Sequence, residues 1–148
     1  MRFDMITIRD MQEADVDAIV EIEEKNLGVR RPDYWKEEVY RAKKDRHHLA
    51  SLVAEVDGDV LGFIMGDIGA REFGMPENTG WIHTIGVHPD YQQRGIARAL
   101  LNEYIKRFKE AGVKKIYTIV DLSDPDLLPF FQKMDFIQGN RVYLERDI

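Results

Sequence analysis

The segment between residues 81 and 112 constrains the fold most, because a β-rich strand, a glycine-containing turn and a long helix follow one another there. Trp81 to Val87 is typical of a strand, and Pro89 ends it. From Ile96 onward, apolar residues recur at three- and four-residue steps, which predicts a helix with one buried face. These residues are Leu100, Leu101, Tyr104, Ile105 and Phe108. Gly112 follows as a C-cap, so we expect a helix that ends there.

The first half of the chain predicts a strand, two helices and a hairpin. Met5 to Arg9 alternates like a strand, and the apolar residues between Asp10 and Leu27 follow helical spacing. A second, highly charged helix is expected from Asp33 to Arg46. Asp57-Gly58-Asp59 is a hairpin turn signal, because glycine adopts positive φ without strain. The strands that it joins are expected at Leu49 to Val56 and Val60 to Ile64.

After the long helix, the sequence predicts a strand, a helix and a closing hairpin. Lys115 to Val120 is rich in strand-favouring residues and predicts a strand. Ser123-Asp124-Pro125 predicts the start of a helix that runs towards Met134. Pro129 stands inside that helix, where it is expected to delay the start or bend the axis. Two short strands, Phe136-Ile137 and Val142 to Glu145, are expected to close the fold as a hairpin turning at Gly139-Asn140. The order of elements favours a mixed α/β sheet.

Size and composition limit the classes of function. With 148 residues, 44% of them apolar, the chain is expected to form a single domain over residues 1–148. It contains no apolar run of the roughly 18 residues that cross a bilayer, so we expect a cytoplasmic protein without membrane contact. The absence of cysteine excludes disulfides and thiolate chemistry. A net charge of −6 argues against nucleic-acid binding and suits a cationic substrate.

The turn from Gln92 to Ala97 is the strongest candidate binding site. Gly95 and Ala97 are small, so the backbone N–H groups at the start of the following helix can face a ligand. Those donors and the helix dipole together hold a phosphate or pyrophosphate, and Arg94 and Arg98 add positive charge. The spacing fits neither a dinucleotide fingerprint nor an ATP-binding P-loop.

The pattern Gln92-x-x-Gly95-x-Ala97 resembles the pyrophosphate loop of the GNAT superfamily of acyl-CoA-dependent N-acetyltransferases, which reads Arg/Gln-x-x-Gly-x-Gly/Ala. The order of strands and helices is similar over nearly the whole chain. The resemblance implies an α/β (α+β) fold, with a mixed, largely antiparallel sheet, a central V-shaped splay and helices on both faces. It also implies acetyl-CoA as cosubstrate, with its pantetheine arm inside the splay.

The resemblance implies a set of coenzyme-binding residues. Backbone groups of Ile85 and Val87 are expected to hydrogen-bond the pantetheine arm and polarise the thioester. Asp124 stands where the family commonly has Asn, and Phe131 stands where it commonly has the Tyr that protonates the thiolate. The loop contributes Gln92, Gln93, Arg94, Gly95, Ile96, Ala97 and Arg98. Because phenylalanine carries no proton to donate, Phe131 is expected to pack against the pantetheine or in the core.

The general base is not identified by the resemblance, because two family base positions are occupied by Trp81 and Ile119. By two-residue alternation, His83 shares a face with Trp81, and Asp121 shares one with Ile119. His83 and Asp121 are therefore the candidate catalytic residues, and a purely structural histidine is the alternative for His83.

Two further groups of residues carry charge without a clear site. Glu23 and Glu24 on the first helix can attract a cation, or they form a solvated helix face. The pair His47-His48 does not predict a metal site, because adjacent side chains in a strand or loop point apart and no second ligand cluster appears.

Three functions remain open. The leading hypothesis is an enzyme in which an amine of a small molecule attacks acetyl-CoA directly in a ternary complex. The second is an acyl-CoA sensor with weak or no catalysis, which Phe131 suggests. The third is a protein-modifying enzyme that docks its partner on Tyr34, Trp35 and the loop from Arg71 to Thr79. The amine, the acyl-chain preference and the question of a homodimer stay undecided.

Overall fold

A computed structural model describes residues 5–44, 51–69 and 74–148. Within these residues the chain forms a mixed α/β structure with one five-stranded sheet. The strands are β1 (Thr7–Asp10), β2 (Leu52–Val56), β3 (Asp59–Ile68), β4 (Thr79–Val87) and β5 (Lys115–Thr118). The helices are α1 (Val16–Leu27), α2 (Pro32–Lys44), α3 (Ile96–Glu110) and α4 (Leu127–Lys133). Among the helices described, none has the length and apolarity that a membrane crossing requires.

The sheet follows the chain order from β1 to β5. Neighbours from β1 to β4 are antiparallel, and β4 and β5 run parallel. The predicted hairpin between β2 and β3 is confirmed: Asp57 and Gly58 have φ values of 52° and 87°, as the two central residues of a type I′ turn require. The mixed, largely antiparallel sheet predicted from the sequence is therefore present.

Each face of the sheet is covered by a separate apolar cluster. On one face, α3 buries Leu100, Leu101, Tyr104 and Phe108, the residues whose spacing predicted the helix. Gly80 permits this close packing, since a Cβ at that position would lie 2.3 Å from the Phe108 ring. On the other face, α1 and α2 cover a cluster that consists of Met11, Val16, Ile19, Val20, Ile22, Trp35, Val39, Val53, Phe63 and Met65. Helices on both faces were predicted.

Three element boundaries differ from the sequence-based expectation, and the first is that β3 extends to Ile68, four residues beyond the expected end at Ile64. β5 ends at Thr118 instead of Val120, because β4 diverges from it after that residue. α4 begins at Leu127, after a turn that Asp124 forms with its side chain. Pro129 is thus the third residue of α4, where its missing N–H would have lacked an intrahelical partner anyway. The expected strand residues Leu49 and Ala50 lie outside the described residues.

The predicted closing hairpin was wrong. Neither Phe136-Ile137 nor Val142 to Glu145 pairs with a strand, and residues 137–148 are exposed throughout. A strand needs a neighbour for its backbone hydrogen bonds, and this segment finds none within the described part of its own chain.

Candidate active site

A V-shaped gap opens between β4 and β5. Their parallel pairing extends only from Thr79 opposite Lys115 to Ile82 opposite Thr118. At this last step the Thr118 hydroxyl donates a hydrogen bond to the Ile82 carbonyl over 3.1 Å. Beyond Ile82, β4 continues to Val87 and, among the described residues, pairs there with β3 only. The predicted splay is therefore present, and it leaves one edge of β4 facing a gap.

The backbone of Ile85 and Val87 faces this gap. The His88 N–H donates to the Leu61 carbonyl at the β3 side over 2.8 Å. Successive residues of a strand direct their backbone groups to opposite sides, so Val87 and, two residues earlier, Ile85 direct theirs away from β3. The two residues that we expected to bind the pantetheine arm by backbone groups thus have the required orientation.

A β-bulge places His83 at the start of the gap. Met65 of β3 lies opposite Thr84, but the next residue, Gly66, lies opposite Ile82, so His83 is the extra residue of β4. Bulges re-aim side chains and interrupt the alternation of a strand. The imidazole Nε2 of His83 lies 3.1 Å from the Asp67 carboxylate of β3, and the histidine remains partly exposed. The result is a histidine oriented by a carboxylate beside the gap.

Sequence reasoning missed Asp67. In the sequence, Asp67 is an ordinary polar residue near the end of a strand. Its contact with His83 follows only from the pairing of β3 and β4. A one-residue bulge shifts that pairing, and no residue type predicts where the bulge lies.

An aromatic pair lies next to this histidine. Trp81 and Tyr117 stack with their ring centroids 5.2 Å apart and an interplanar angle of 26°. Trp81 lies opposite Asp67 in the pairing of β3 and β4. Asp67 shares a face of β3 with Met65, two residues earlier, and Met65 packs under α1 and α2. The stacked rings therefore lie on the same face of the sheet as the His83–Asp67 pair. Tyr117 was not among the residues singled out from the sequence.

The glycine loop adopts the geometry that a phosphate site needs. Gln93 and Gly95 have φ values of 61° and 88°, and α3 begins at Ile96 without a side-chain cap at Gly95. A Cβ at Gly95 would meet no protein atom within 4 Å. The first N–H groups of a helix have no intrahelical partner, so those at Ile96 and Ala97 can bind an anion in this open space.

Asn26 connects the glycine loop to α1. Its amide nitrogen donates to the Val87 carbonyl over 2.9 Å, and the Gln92 amide donates to the same carbonyl over 3.3 Å. The Gln92 amide also lies 3.4 Å from Asn26 Oδ1. Gln92, predicted as a cofactor residue, therefore has a structural contact that holds the loop against the end of β4. Asn26 was missed, because a single asparagine near a helix end carries no pattern.

The two arginines of the loop region have different surroundings. The Arg94 guanidinium lies 5.5 Å from the centre of the Tyr91 ring, within cation–π range. Arg98 lines a surface cavity of about 470 Å³ between α3 and the end of α4. Its other lining residues are Asn102, Ile105, Lys109, Lys133, Met134 and Asp135.

Three predicted site residues after β5 have structural partners. Asp121 accepts hydrogen bonds from the Ser123 hydroxyl and backbone N–H, which lower the pKa of its carboxyl and favour the ionised form. Asp124 accepts from two N–H groups at the start of α4. Phe131 is buried in the core between Phe130 and Phe136. A catalytic role for Asp121 and coenzyme contacts of Asp124 and Phe131 stay predictions.

Glu23 is buried, contrary to a solvated helix face. Its carboxylate accepts hydrogen bonds from the Arg31 guanidinium and from the Trp35 indole. The hydrogen bonds between Arg31 and Glu23 raise the pKa of the Arg31 guanidinium. The bond from Trp35 joins the end of α1 to α2. Glu23 therefore has its cation within the chain, and buried Trp35 is not available as a docking surface. Glu24 is exposed and pairs with Arg30 over 3.7 Å.

Two sequence-based expectations fall partly outside the described residues. His47 and His48 lie there, as do three residues of the expected docking loop, 71–73. In the parts of the chain that the structure covers, no three histidine or carboxylate residues gather as a metal site would require.

Most of the chain matches a known protein family. The model of the acetyltransferase (GNAT) family matches residues 16–136. An acetyltransferase of Pectobacterium atrosepticum is 28% identical over 131 residues, covering 87% of this chain and 86% of its own length. An acetyltransferase of Sodalis glossinidius is 36% identical over 93 residues, covering 63% of this chain and 61% of its own length.

Comparison with solved structures confirms the fold. An aminoglycoside N-acetyltransferase in complex with CoA superposes with a TM-score of 0.82 and 19% identity, covering 97% of this chain and 95% of its own. The ribosomal-protein-S18-alanine N-acetyltransferase of Escherichia coli gives a TM-score of 0.73 and 21% identity, covering 92% and 80%.

Proposed function

We propose, because this chain belongs to the GNAT family of acetyltransferases, that it acetylates a primary amine on an acceptor with additional positive charge. The chain is an N-acetyltransferase, and acetyl-CoA is its acetyl donor. The observation that carries the proposal is the position of the His83–Asp67 pair, at the point where β4 leaves β5 and the gap begins.

The coenzyme site extends from the helix start into the gap. The pyrophosphate is bound by the N–H groups at the start of α3, where Gly95 leaves open space. The pantetheine arm passes along the gap-facing edge of β4, where Ile85 directs its backbone groups and Val87 its N–H, while the Val87 carbonyl accepts from Asn26 and Gln92. An N–H on this edge stabilises the negative charge that develops on the thioester oxygen during attack.

The acceptor site is the stacked pair of Trp81 and Tyr117 with Asp67 beside it. Aromatic faces attract cations, and a carboxylate nearby adds charge attraction. The net charge of −6 over the whole chain acts in the same direction for a cationic acceptor.

His83 accepts the proton of the attacking amine. Asp67 lies at Nε2, so the Nε2–H donates to the carboxylate and Nδ1 carries the lone pair that takes the proton. The amine nitrogen forms the new bond to the acetyl carbon, and the carbon–sulfur bond breaks. The thiolate of CoA leaves and takes a proton from water, since Phe131 has none to donate.

The acceptor class is tested with amines of matched size. Release of the CoA thiol is measured with 1,4-diaminobutane and with 4-amino-1-butanol, which differ in one positive charge. We expect kcat/KM to be about tenfold or more higher for the diamine, as cation–π and carboxylate contacts of about 1–2 kcal/mol predict.

The variant Trp81→Leu should reduce this preference, while Tyr40→Leu, an exposed aromatic on α2, should leave it unchanged. Equal rates for the two amines would contradict the acceptor class. A peptide with an N-terminal alanine, included in the same assay, tests a protein acceptor.

An acyl-CoA sensor is the second candidate, and the burial of Phe131 favours it because the usual proton donor is replaced by a core residue. Thermal stabilisation by acetyl-CoA, without release of the CoA thiol in the presence of any amine tested, would support the sensor and contradict the enzyme.

A further inference from the structure

The hydroxyl of Tyr104 reaches the backbone of β4 from the face of the sheet that α3 covers. Tyr104 is fully buried in the apolar cluster under α3. Its position in the helical spacing explains the buried ring, but not the hydroxyl. Burying a hydroxyl among apolar side chains costs free energy unless it is hydrogen-bonded. This hydroxyl donates a hydrogen bond to the Trp81 carbonyl over 2.7 Å, on the strand that carries His83.

Gly66 of β3 provides the space for this hydroxyl. A Cβ at Gly66 would overlap both the Tyr104 hydroxyl and the Trp81 carbonyl oxygen. The tyrosine hydroxyl therefore occupies the place that a side chain at position 66 would need. Gly66 also lies opposite Ile82, directly at the register shift between β3 and β4. The hydrogen bond thus lies beside the bulge, on the face of the sheet opposite to the candidate base.

The bulge reverses the direction of the backbone groups along β4. Before the bulge, odd-numbered residues direct theirs to β3, because the Gly69 N–H donates to the Thr79 carbonyl over 2.9 Å. After the bulge, even-numbered positions do so, because the His88 N–H donates to the Leu61 carbonyl over 2.8 Å. Pairing with β3 holds the residues on either side of this reversal. The residue that the register skips is His83.

We propose that Tyr104 is a positioning residue, whose hydroxyl fixes the peptide between Trp81 and Ile82 and thereby holds His83 beside Asp67. A skipped residue takes its position from the peptides that flank it, and this hydrogen bond fixes the peptide on one side. The effect on transfer rests on the proposed function, whereas the effect on the position of His83 does not.

The same helix would then serve the coenzyme and the candidate base. Tyr104 lies about two turns after the start of α3, where the N–H groups of Ile96 and Ala97 are proposed to bind the pyrophosphate. The start of the helix acts on binding, and the hydroxyl acts on the transfer step. Removal of the hydroxyl should therefore affect kcat and leave coenzyme affinity intact.

Tyr104→Phe removes the hydroxyl and keeps the ring, which packs on Phe108 at 4.2 Å between centroids. We expect kcat to fall about five- to tenfold, as the loss of one neutral hydrogen bond predicts. The dissociation constant of acetyl-CoA, measured by calorimetry, should change by less than about twofold. An unchanged kcat would assign Tyr104 a purely structural role and overturn the proposal.

Val56→Ala is the matched control for lost core packing. Val56 is buried in the same apolar cluster, but it lies on β2, which does not pair with β4. Both variants are assayed below their melting temperatures, and Val56→Ala should leave kcat unchanged. An equal fall of kcat in the two variants would mean that any loss of core packing slows transfer, which would contradict the positioning role.

A double substitution tests whether Tyr104 acts through His83. In the His83→Ala background, Tyr104→Phe should lower kcat by less than about twofold, because the group that the hydroxyl positions is then absent. The same five- to tenfold fall in both backgrounds would contradict the coupling.

Nuclear magnetic resonance separates the positioning from the proposed function. The backbone amide signals of His83 and Asp67 should shift in Tyr104→Phe and stay in place in Val56→Ala, whatever the histidine does in catalysis. Shifts confined to the residues that the hydroxyl contacts directly would overturn the proposal. Shifts that reach His83, together with an unchanged kcat in His83→Ala, would support the positioning and contradict the proposed base.

Discussion

At the scale of single residues, the proposed function rests on His83, the one extra residue in the pairing of β4 with β3. The bulge at His83 lies one residue beyond the last pair with β5, and it brings the imidazole within 3.1 Å of Asp67. His83 is the extra residue between Ile82 and Thr84, so the regular pairing of β4 with β3 is interrupted at the candidate base.

Replacing this histidine separates catalysis from coenzyme binding. His83→Ala should lower kcat by about a hundredfold or more, the usual contribution of a general base, and leave the affinity for acetyl-CoA unchanged. Asp67→Asn should lower kcat by a smaller factor, because the imidazole stays in place and loses only the carboxylate that orients it. An unchanged kcat in His83→Ala would assign the histidine a structural role.

Two glycines with the same backbone geometry test the pyrophosphate site. Gly95 and Gly112 lie at opposite ends of α3, have φ values of 88° and 85°, and leave space for a Cβ. Alanine at either position should cost about 1–2 kcal/mol of stability through backbone strain. Only Gly95→Ala should also weaken acetyl-CoA binding, by about tenfold or more, because only this Cβ would enter the proposed pyrophosphate site. Equal affinities of the two variants, measured by calorimetry, would contradict the loop assignment.

At the scale of elements, Asn26 connects α1 with the glycine loop through the Val87 carbonyl. Asn26→Ala should raise the KM for acetyl-CoA about fivefold, as the loss of a hydrogen bond worth about 1 kcal/mol predicts, with little effect on kcat. Lys25→Ala, at the preceding exposed position of the same helix, is the control. A lower kcat at unchanged KM would indicate that α1 acts on the acceptor instead.

Elements also show how far sequence reasoning extends. The glycine loop and α3 were predictable, because a strand stop, a small-residue turn and helical spacing occur within a short segment. Asp67 and Tyr117 were not, since Asp67 depends on the register of β3 and β4 across a bulge and Tyr117 depends on the register of β4 and β5. Glu23 was also mispredicted. Its charge suggested a solvent-exposed position, and only the packing of α2 shows that it is buried and paired with Arg31.

At the scale of the whole molecule, stability at acid pH depends on the buried Asp15. Burial disfavours its ionised form, but the Arg9 guanidinium and the Gln12 N–H hold its pKa below the ordinary value. The stabilisation is therefore complete above the unfolded pKa of 3.8 and is lost as the pH falls through the folded value.

We expect Asp15→Asn to reduce the free energy of unfolding at pH 7 by about 2–3 kcal/mol, less than the full cost for a buried pair because Arg9 is partly exposed. In urea melts, its difference from the unmodified protein should shrink below pH 4. A constant difference across that range would contradict this role.

Within the described residues, the fold was predictable except at its C-terminal end. The order of strands and helices determined the mixed sheet. The closing hairpin was wrong because strand-favouring residues form a strand only where a neighbouring strand accepts their backbone hydrogen bonds, and residues 137–148 have no such neighbour in the described chain.

The proposed function places acetyl-CoA in the gap between β4 and β5, beside His83. A crystal structure with acetyl-CoA bound measures this placement. We predict the pyrophosphate at the N–H groups of Ile96 and Ala97, the pantetheine arm along Ile85 and Val87, and the acetyl carbon within reach of an amine bound at His83 Nδ1. Coenzyme bound outside the gap, or an acetyl group on the far side of the sheet from His83, would exclude it.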